Sequence, residues 1–201
     1  MPSARAILIW VGLGAALAIP LAVAAASPLL EWRQPVYIAA GFAGVIGMGL
    51  LLLQPLLAAG SLPGLRAIRG RRVHAVVGAG LVSAVVVHVG ALWVTSPPDV
   101  VDALLFRSPT PFSVWGVIAM WAVFAAALLA LLRRHLRPAI WRLWHMGLAA
   151  IIVAGSVIHA MLIEGTMGTV SKLALCALVV VTAAKVLADR LPRSIFARRK
   201  A

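Results

Sequence analysis

Residues 74–88, HAVVGAGLVSAVVVH, form an apolar stretch that begins and ends with histidine. Residues 145–159, HMGLAAIIVAGSVIH, repeat the same spacing of fourteen residues between two histidines. At 3.6 residues per turn, fourteen residues bring a straight helix back to within about 40° of the same face, about 21 Å further along its axis. Each stretch therefore predicts one helix that carries two histidines on nearly the same face.

The composition around these stretches is that of a membrane protein. Apolar residues make up 63% of the 201 residues and charged residues 11%, against averages of roughly 45–50% and 25% in soluble domains. Apolar segments lie at about 6–26, 36–59, 73–95, 112–132, 141–163 and 168–189, each near the ~20 residues needed to cross a bilayer. None alternates with a period of two, which excludes a barrel and leaves helices. The sequence predicts an all-α membrane protein, one domain over residues 1–201 with six transmembrane helices.

The distribution of basic residues predicts the orientation. One side of the membrane receives fourteen of the eighteen Lys and Arg residues, and the other side receives Arg33, Arg107 and Lys172. The positive-inside rule makes the basic side cytoplasmic and places both termini there. The formal charge of +13 is thus explained by topology, and a nucleic-acid partner is not expected. The basic side comprises Arg5, Arg66, Arg69, Arg71, Arg72, Arg133, Arg134, Arg137, Arg142, Arg190, Arg193, Arg198, Arg199 and Lys200.

The first apolar segment has two interpretations. Residues 1–27 contain an early Arg5 and a run of small residues before Pro28, as a signal peptide does. The apolar run is about 20 residues long, whereas the apolar region of a signal peptide usually has about 7–15. A retained helix is favoured, and cleavage stays open as the alternative. The expected location is a plasma (inner) membrane of the bacterial type, with lipid surrounding the helices.

The topology also pairs the four histidines. The third and fifth predicted helices cross the membrane in the same direction, so His74 and His145 are expected at one depth (the inner pair) and His88 and His159 at the other (the outer pair). Ionisable side chains at membrane depth are rare and usually functional. Proton-relay histidines of a small transporter are one alternative, and that protein would be colourless.

The pairs favour haem over other metal centres. Each pair offers only two imidazoles, and Cys176 is the single cysteine, so a tetrahedral zinc site would lack ligands. Two axial imidazoles suit a haem iron. One cysteine also excludes a Cys-x-x-Cys-His attachment, so the expected cofactors are two non-covalent b-type haems. Small residues four positions from each histidine, towards mid-membrane, are expected to leave room for the macrocycle: Gly78, Ala84, Ala149 and Gly155.

Three arginines near the inner pair are candidates for binding the haem propionates. Arg71, Arg72 and Arg142 lie within three residues of a histidine of that pair and could form charge-assisted hydrogen bonds with carboxylates. The positive-inside rule would place arginines there in any case, so both interpretations stay open. His135 has no matching partner and is expected in a loop.

In these two predicted helices, the sequence resembles the ferric reductase-like transmembrane domain family. The resemblance is carried by Arg71-Arg72-Val73-His74 with His88, and by Trp141-Arg142-Leu143-Trp144-His145 with His159. It covers residues 36–190 by helix order. It implies that one haem is bound between His74 and His145 and another between His88 and His159. It also implies that electrons pass singly from the cytoplasmic side to an outer acceptor.

The resemblance leaves the donor, the acceptor and the catalytic status open. Ferric reductases and NADPH oxidases continue into a flavin- and NADPH-binding domain, and no such motif occurs in this sequence. A separate cytoplasmic flavoprotein or a membrane quinol is therefore the expected donor, and a bound flavin has no support. The expected acceptor is ferric iron or a periplasmic redox protein. The alternatives are a non-catalytic haem-binding anchor of a redox complex and a cytochrome b561-like quinol-linked carrier.

Overall fold

The structure, a computed structural model, describes residues 3–65 and 67–190. All of the regular structure in these ranges is helical. Several basic residues used to predict the orientation lie outside the described residues: Arg66, Arg193, Arg198, Arg199 and Lys200. The helices are α1 (Ala4–Ala25), α2 (Pro35–Ala59), α3 (Ala67–Thr95), α4 (Pro97–Leu104), α5 (Pro111–Leu131), α6 (Pro138–Leu162) and α7 (Thr169–Arg190).

Six of these helices, all except α4, are long and apolar enough to cross a membrane. This confirms the predicted all-α, multi-pass membrane architecture. The predicted bounds agree with the observed ones to within three residues, except that α3 begins at Ala67 rather than at residue 73. The apolar pattern stops at Arg69, Arg71 and Arg72, although arginine is a good helix former. The extra turn of α3 is therefore charged and extends beyond the apolar segment.

The helix ends follow local rules. Proline occupies the first position of α2, α4, α5 and α6, where its fixed φ suits a helix and its missing N–H costs nothing. Gly60 ends α2 with a φ of 65°, a left-handed conformation that glycine adopts without strain. Between α3 and α5 the chain forms the short helix α4, which begins at Pro97.

The helices are arranged as two hairpins on a common support. Helix α3 packs along α2, and α6 packs along α5, while α7 packs against both α2 and α6. Helix α1 contacts α2 and α7. The core between them includes Leu52, Leu175 and Val179, each at most 2% exposed. In contrast, the backbones of α3 and α6 are not closely packed against each other. The two histidine-bearing helices thus face each other across a space that side chains bridge.

The outer surface of the bundle is apolar. Leu8, Val76, Leu131, Val170 and Val181 are all more than 60% exposed, as expected for side chains that contact lipid. Cys176 is buried in α7 and 4% exposed. The part of the chain that the structure describes holds a single salt bridge, between Lys185 and Asp189.

Candidate functional site

The structure brings the four histidines together in two pairs. The ring centroids of His74 and His145 are 6.2 Å apart, with 69° between the ring planes. Those of His88 and His159 are 6.4 Å apart, with 87° between the planes. Each pair joins α3 to α6 across the space between the hairpins. Matched depth on two parallel helices is what produces this pairing.

Three of the four rings are oriented by a backbone carbonyl of their own hairpin. Nδ1 of His88 lies 2.7 Å from the Ala40 oxygen, and Nδ1 of His159 lies 2.8 Å from the Phe112 oxygen. Nδ1 of His74 lies 3.2 Å from the Gln54 oxygen. A carbonyl only accepts, so Nδ1 is the N–H donor and Nε2 keeps its lone pair. This is the tautomer that a histidine needs to bind a metal through Nε2.

His145 is oriented in a different way. Its Nδ1 is buried and has no hydrogen-bond partner among the described residues. The ring instead stacks on Trp141, one helical turn earlier, with centroids 5.0 Å apart and 11° between the planes. The Arg133 guanidinium lies over the Trp141 ring at 5.0 Å from its centroid. The inner pair is therefore supported by one hydrogen bond and one aromatic stack, and the outer pair by two hydrogen bonds.

The ring separations fit a metal atom between each pair. Metal–nitrogen bonds of about 2.0–2.1 Å and about 1.1 Å from nitrogen to ring centroid would put two axial imidazole centroids about 6.3 Å apart. The observed values are 6.2 Å and 6.4 Å. A direct hydrogen bond of about 2.9 Å between the rings would give centroids about 5 Å apart. The centroid separations of both pairs are therefore longer than that of directly hydrogen-bonded rings and match that of two imidazoles on one metal.

The protein side chains alone do not complete a metal site. Among the described residues, no group of three or more His, Cys, Asp or Glu side chains could hold a metal ion. A metal between either histidine pair therefore needs its remaining ligands from elsewhere. A porphyrin supplies four equatorial nitrogens and leaves two axial positions, which matches a donor set of two imidazoles.

Two glycines that face the outer histidines were not predicted as site residues. A Cβ at Gly116 would lie 2.6 Å from Nδ1 of His159, and a Cβ at Gly44 would lie 3.2 Å from Nδ1 of His88. The sequence does contain a signal for them. Gly44 and Gly116 are 72 residues apart, while His74 and His88 precede His145 and His159 by 71 residues each. The two hairpins therefore repeat one arrangement of glycine and histidine.

Three of the four small residues near the histidines lie against the neighbouring helix of their own hairpin. A Cβ at Gly155 would meet the Ala119 side chain and the Trp115 carbonyl at 3.0 Å. Gly78 faces the Gln54 side chain, and Ala84 lies near Gly47. These residues allow close packing within each hairpin, where small side chains let membrane helices approach. Ala149, the fourth residue of the set, is half-buried.

The three candidate arginines are exposed. Arg71 and Arg72 lie in the charged first turns of α3. Arg142 lines a cavity of about 200 Å³ together with Arg133 and Trp141, close to the aromatic ring that stacks on His145. His135 is also exposed and accepts a hydrogen bond from Nε of Arg134 at 3.2 Å. Arg142 and Arg133 thus share a cavity with Trp141, which contacts the inner pair.

Comparison with known proteins gives no match: no protein-family model, no curated protein sequence and no solved structure is similar to this chain.

Proposed function

We propose that this protein carries electrons singly across the membrane through two b-type haems, each bound between α3 and α6. The observation that carries the proposal is the separation of the ring centroids, 6.2 Å and 6.4 Å, which equals the spacing of two axial imidazoles on one metal. His74 and His145 would hold the inner haem, and His88 and His159 the outer haem. Haem supplies, when bound, a one-electron Fe(III)/Fe(II) couple.

The chain's own residues hold and orient the ligands. The carbonyls of Ala40, Phe112 and Gln54 accept hydrogen bonds from three imidazoles, which fixes ring orientation and raises the basicity of the ligand nitrogen. The Trp141 ring supports the fourth imidazole. Arg71, Arg72 and Arg142 would bind propionates at the inner end.

The proposed direction of transfer follows from the charge distribution. The basic side of the bundle is the cytoplasmic side by the positive-inside rule, and it is the side of the inner pair. A separate cytoplasmic flavoprotein or a membrane quinol would be oxidised there. A quinol would release two protons and give up its two electrons in successive steps. On the outer side each electron would reduce one ferric ion to ferrous, or one equivalent of a redox protein.

A spectrum and a transport assay test the proposal. We expect the purified protein to show the reduced-minus-oxidised spectrum of b-type haem, with two haems per chain. In liposomes with a reductant inside and a membrane-impermeant ferric chelate outside, we expect ferrous iron to appear outside. A colourless protein would refute haem binding. Two haems without transfer would support the anchor function instead.

A further inference from the structure

The imidazole rings of the outer histidines lie against glycines of the neighbouring helix in the same hairpin. An ideal Cβ on Gly116 of α5 would lie 2.6 Å from Nδ1, 2.7 Å from Cε1 and 3.2 Å from Cγ of His159. An ideal Cβ on Gly44 of α2 would lie 3.2 Å from Nδ1 and 3.3 Å from Cε1 of His88. At Gly116 the imidazole occupies the volume that a Cβ would need, so any other residue would displace the ring. At Gly44 a Cβ would be in tight contact with the ring, which would have to move by a few tenths of an ångström.

Each glycine lies one helical turn after the carbonyl that accepts from the same ring. His159 donates to Phe112, four residues before Gly116, and His88 donates to Ala40, four residues before Gly44. Residues four apart lie on the same face of a helix. The ring therefore lies over the glycine with Nδ1 directed at the carbonyl. We call each set of carbonyl and glycine an imidazole seat: Ala40 with Gly44, and Phe112 with Gly116.

The inner histidines have no such seat. The carbonyl that accepts from His74 belongs to Gln54, and the residue four positions later is Ala58. Nδ1 of His145 has no acceptor among the residues that the structure describes, and the ring stacks on Trp141. Helix packing alone would not restrict the seats to one end of the bundle. Their restriction to the outer pair indicates that they serve the two outer rings.

We propose that Gly44 and Gly116 are positioning residues of the outer haem site, a role that rests on the proposed function. By leaving room for the imidazole to lie on the helix, each glycine keeps Nδ1 bound to its carbonyl and sets the plane of the ring. The two seats together hold the outer rings at 87° to each other. Two imidazoles held nearly perpendicular would leave two d orbitals of a bound iron almost equal in energy, and the low-spin EPR signal would then be strongly anisotropic.

The experiment compares four glycine variants of the full-length protein by haem content and EPR. We expect Gly116→Ala to lower the haem content from two towards one per chain and to abolish or shift the outer signal, which the His88→Ala variant identifies. Gly44→Ala, with its longer contacts, should keep two haems and shift the same signal. Gly147→Ala, where nothing lies within 4 Å of the Cβ, should resemble the wild type. Gly155→Ala crowds the same pair of helices without touching a histidine, and should shift the outer signal less than Gly116→Ala does.

The outcomes separate the two proposals. If the wild-type protein lacks two haems, the proposed function is wrong and the positioning role goes with it. If the wild-type protein has two haems and Gly116→Ala has the same haem content and outer signal, the positioning role alone is wrong. A shift of the outer signal in Gly155→Ala equal to that in Gly116→Ala would also overturn it, because helix packing would then explain both. If Gly116→Ala does not accumulate, the outer signal of Gly44→Ala decides.

Discussion

The rings of Trp141 and His145, one helical turn apart on α6, are stacked on each other. Their centroids are 5.0 Å apart, and the angle between their planes is 11°. His145 is also the one histidine of the four whose Nδ1 has no partner among the described residues. An aromatic contact is worth about 0.5–1.5 kcal/mol beyond area burial, similar to the net value of one hydrogen bond. The stack therefore takes the place of the carbonyl that orients each of the other rings. The two ends of the site are supported by different interactions.

Replacement of Trp141 with leucine should weaken the inner site selectively. Loss of about 1 kcal/mol of stacking free energy corresponds to about fivefold weaker binding of the haem that His145 would hold. The measurement is haem transfer to excess apomyoglobin, where one of the two haems should leave faster. Trp144→Leu is the matched control, because Trp144 is 62% exposed on the same helix. Equal haem loss in both variants would contradict a specific role for the stack.

Replacement of His88 with alanine should remove the outer haem and stop transfer across the membrane. Without His88, an iron at the outer site would have His159 as its one protein ligand, so the outer haem should be lost. The amplitude of the low-spin bis-histidine spectrum should therefore fall to half. The measurements are haem content per chain and the reduction of external ferric chelate by liposomes. His135→Ala serves as the control, because His135 is exposed and belongs to neither pair. Retention of two bis-histidine haems in His88→Ala would contradict the ligand assignment.

Replacement of Gly155 with alanine should destabilise the α5–α6 hairpin. The added methyl would lie 3.0 Å from both the Ala119 Cβ and the Trp115 carbonyl oxygen, and overpacking of this kind typically costs about 1–3 kcal/mol. Thermal unfolding in detergent measures the change as a lower midpoint temperature. Gly147→Ala on the same helix should unfold at the wild-type temperature or slightly above it, since its Cβ meets nothing within 4 Å. Equal midpoints in the two variants would show that the contact is relieved without cost.

The orientation predicted from the arginines can be checked by cysteine labelling. Cys176 is the single cysteine of the sequence, so Cys176→Ala provides a background without thiols. In intact cells a membrane-impermeant maleimide should label Asp102→Cys, which is exposed in α4. It should label Arg134→Cys only after permeabilisation. The reverse pattern would place the inner pair on the outside and invert the proposed direction of transfer.

The sequence by itself determined the number of membrane helices and the histidines that could meet. These properties depend on the length of apolar runs and on a spacing of fourteen residues. Both are features of a single helix and do not depend on how it packs against its neighbours. Bilayer thickness and helix pitch are fixed. For this reason the predicted bounds needed only small changes, apart from the charged first turn of α3, which the apolar pattern does not record.

Only the tertiary structure decided how each histidine is held. The seats at Gly44 and Gly116 bring together residues 43 to 48 positions apart, and the accepting carbonyls belong to helices whose relative rotation the sequence does not specify. The same holds for Gly78, Ala84 and Gly155, whose contacts with α2 or α5 the sequence does not specify. Which residues of one helix contact another depends on how the two helices are rotated and packed against each other. This packing depends on the whole bundle, so the contacts are defined only in the folded chain.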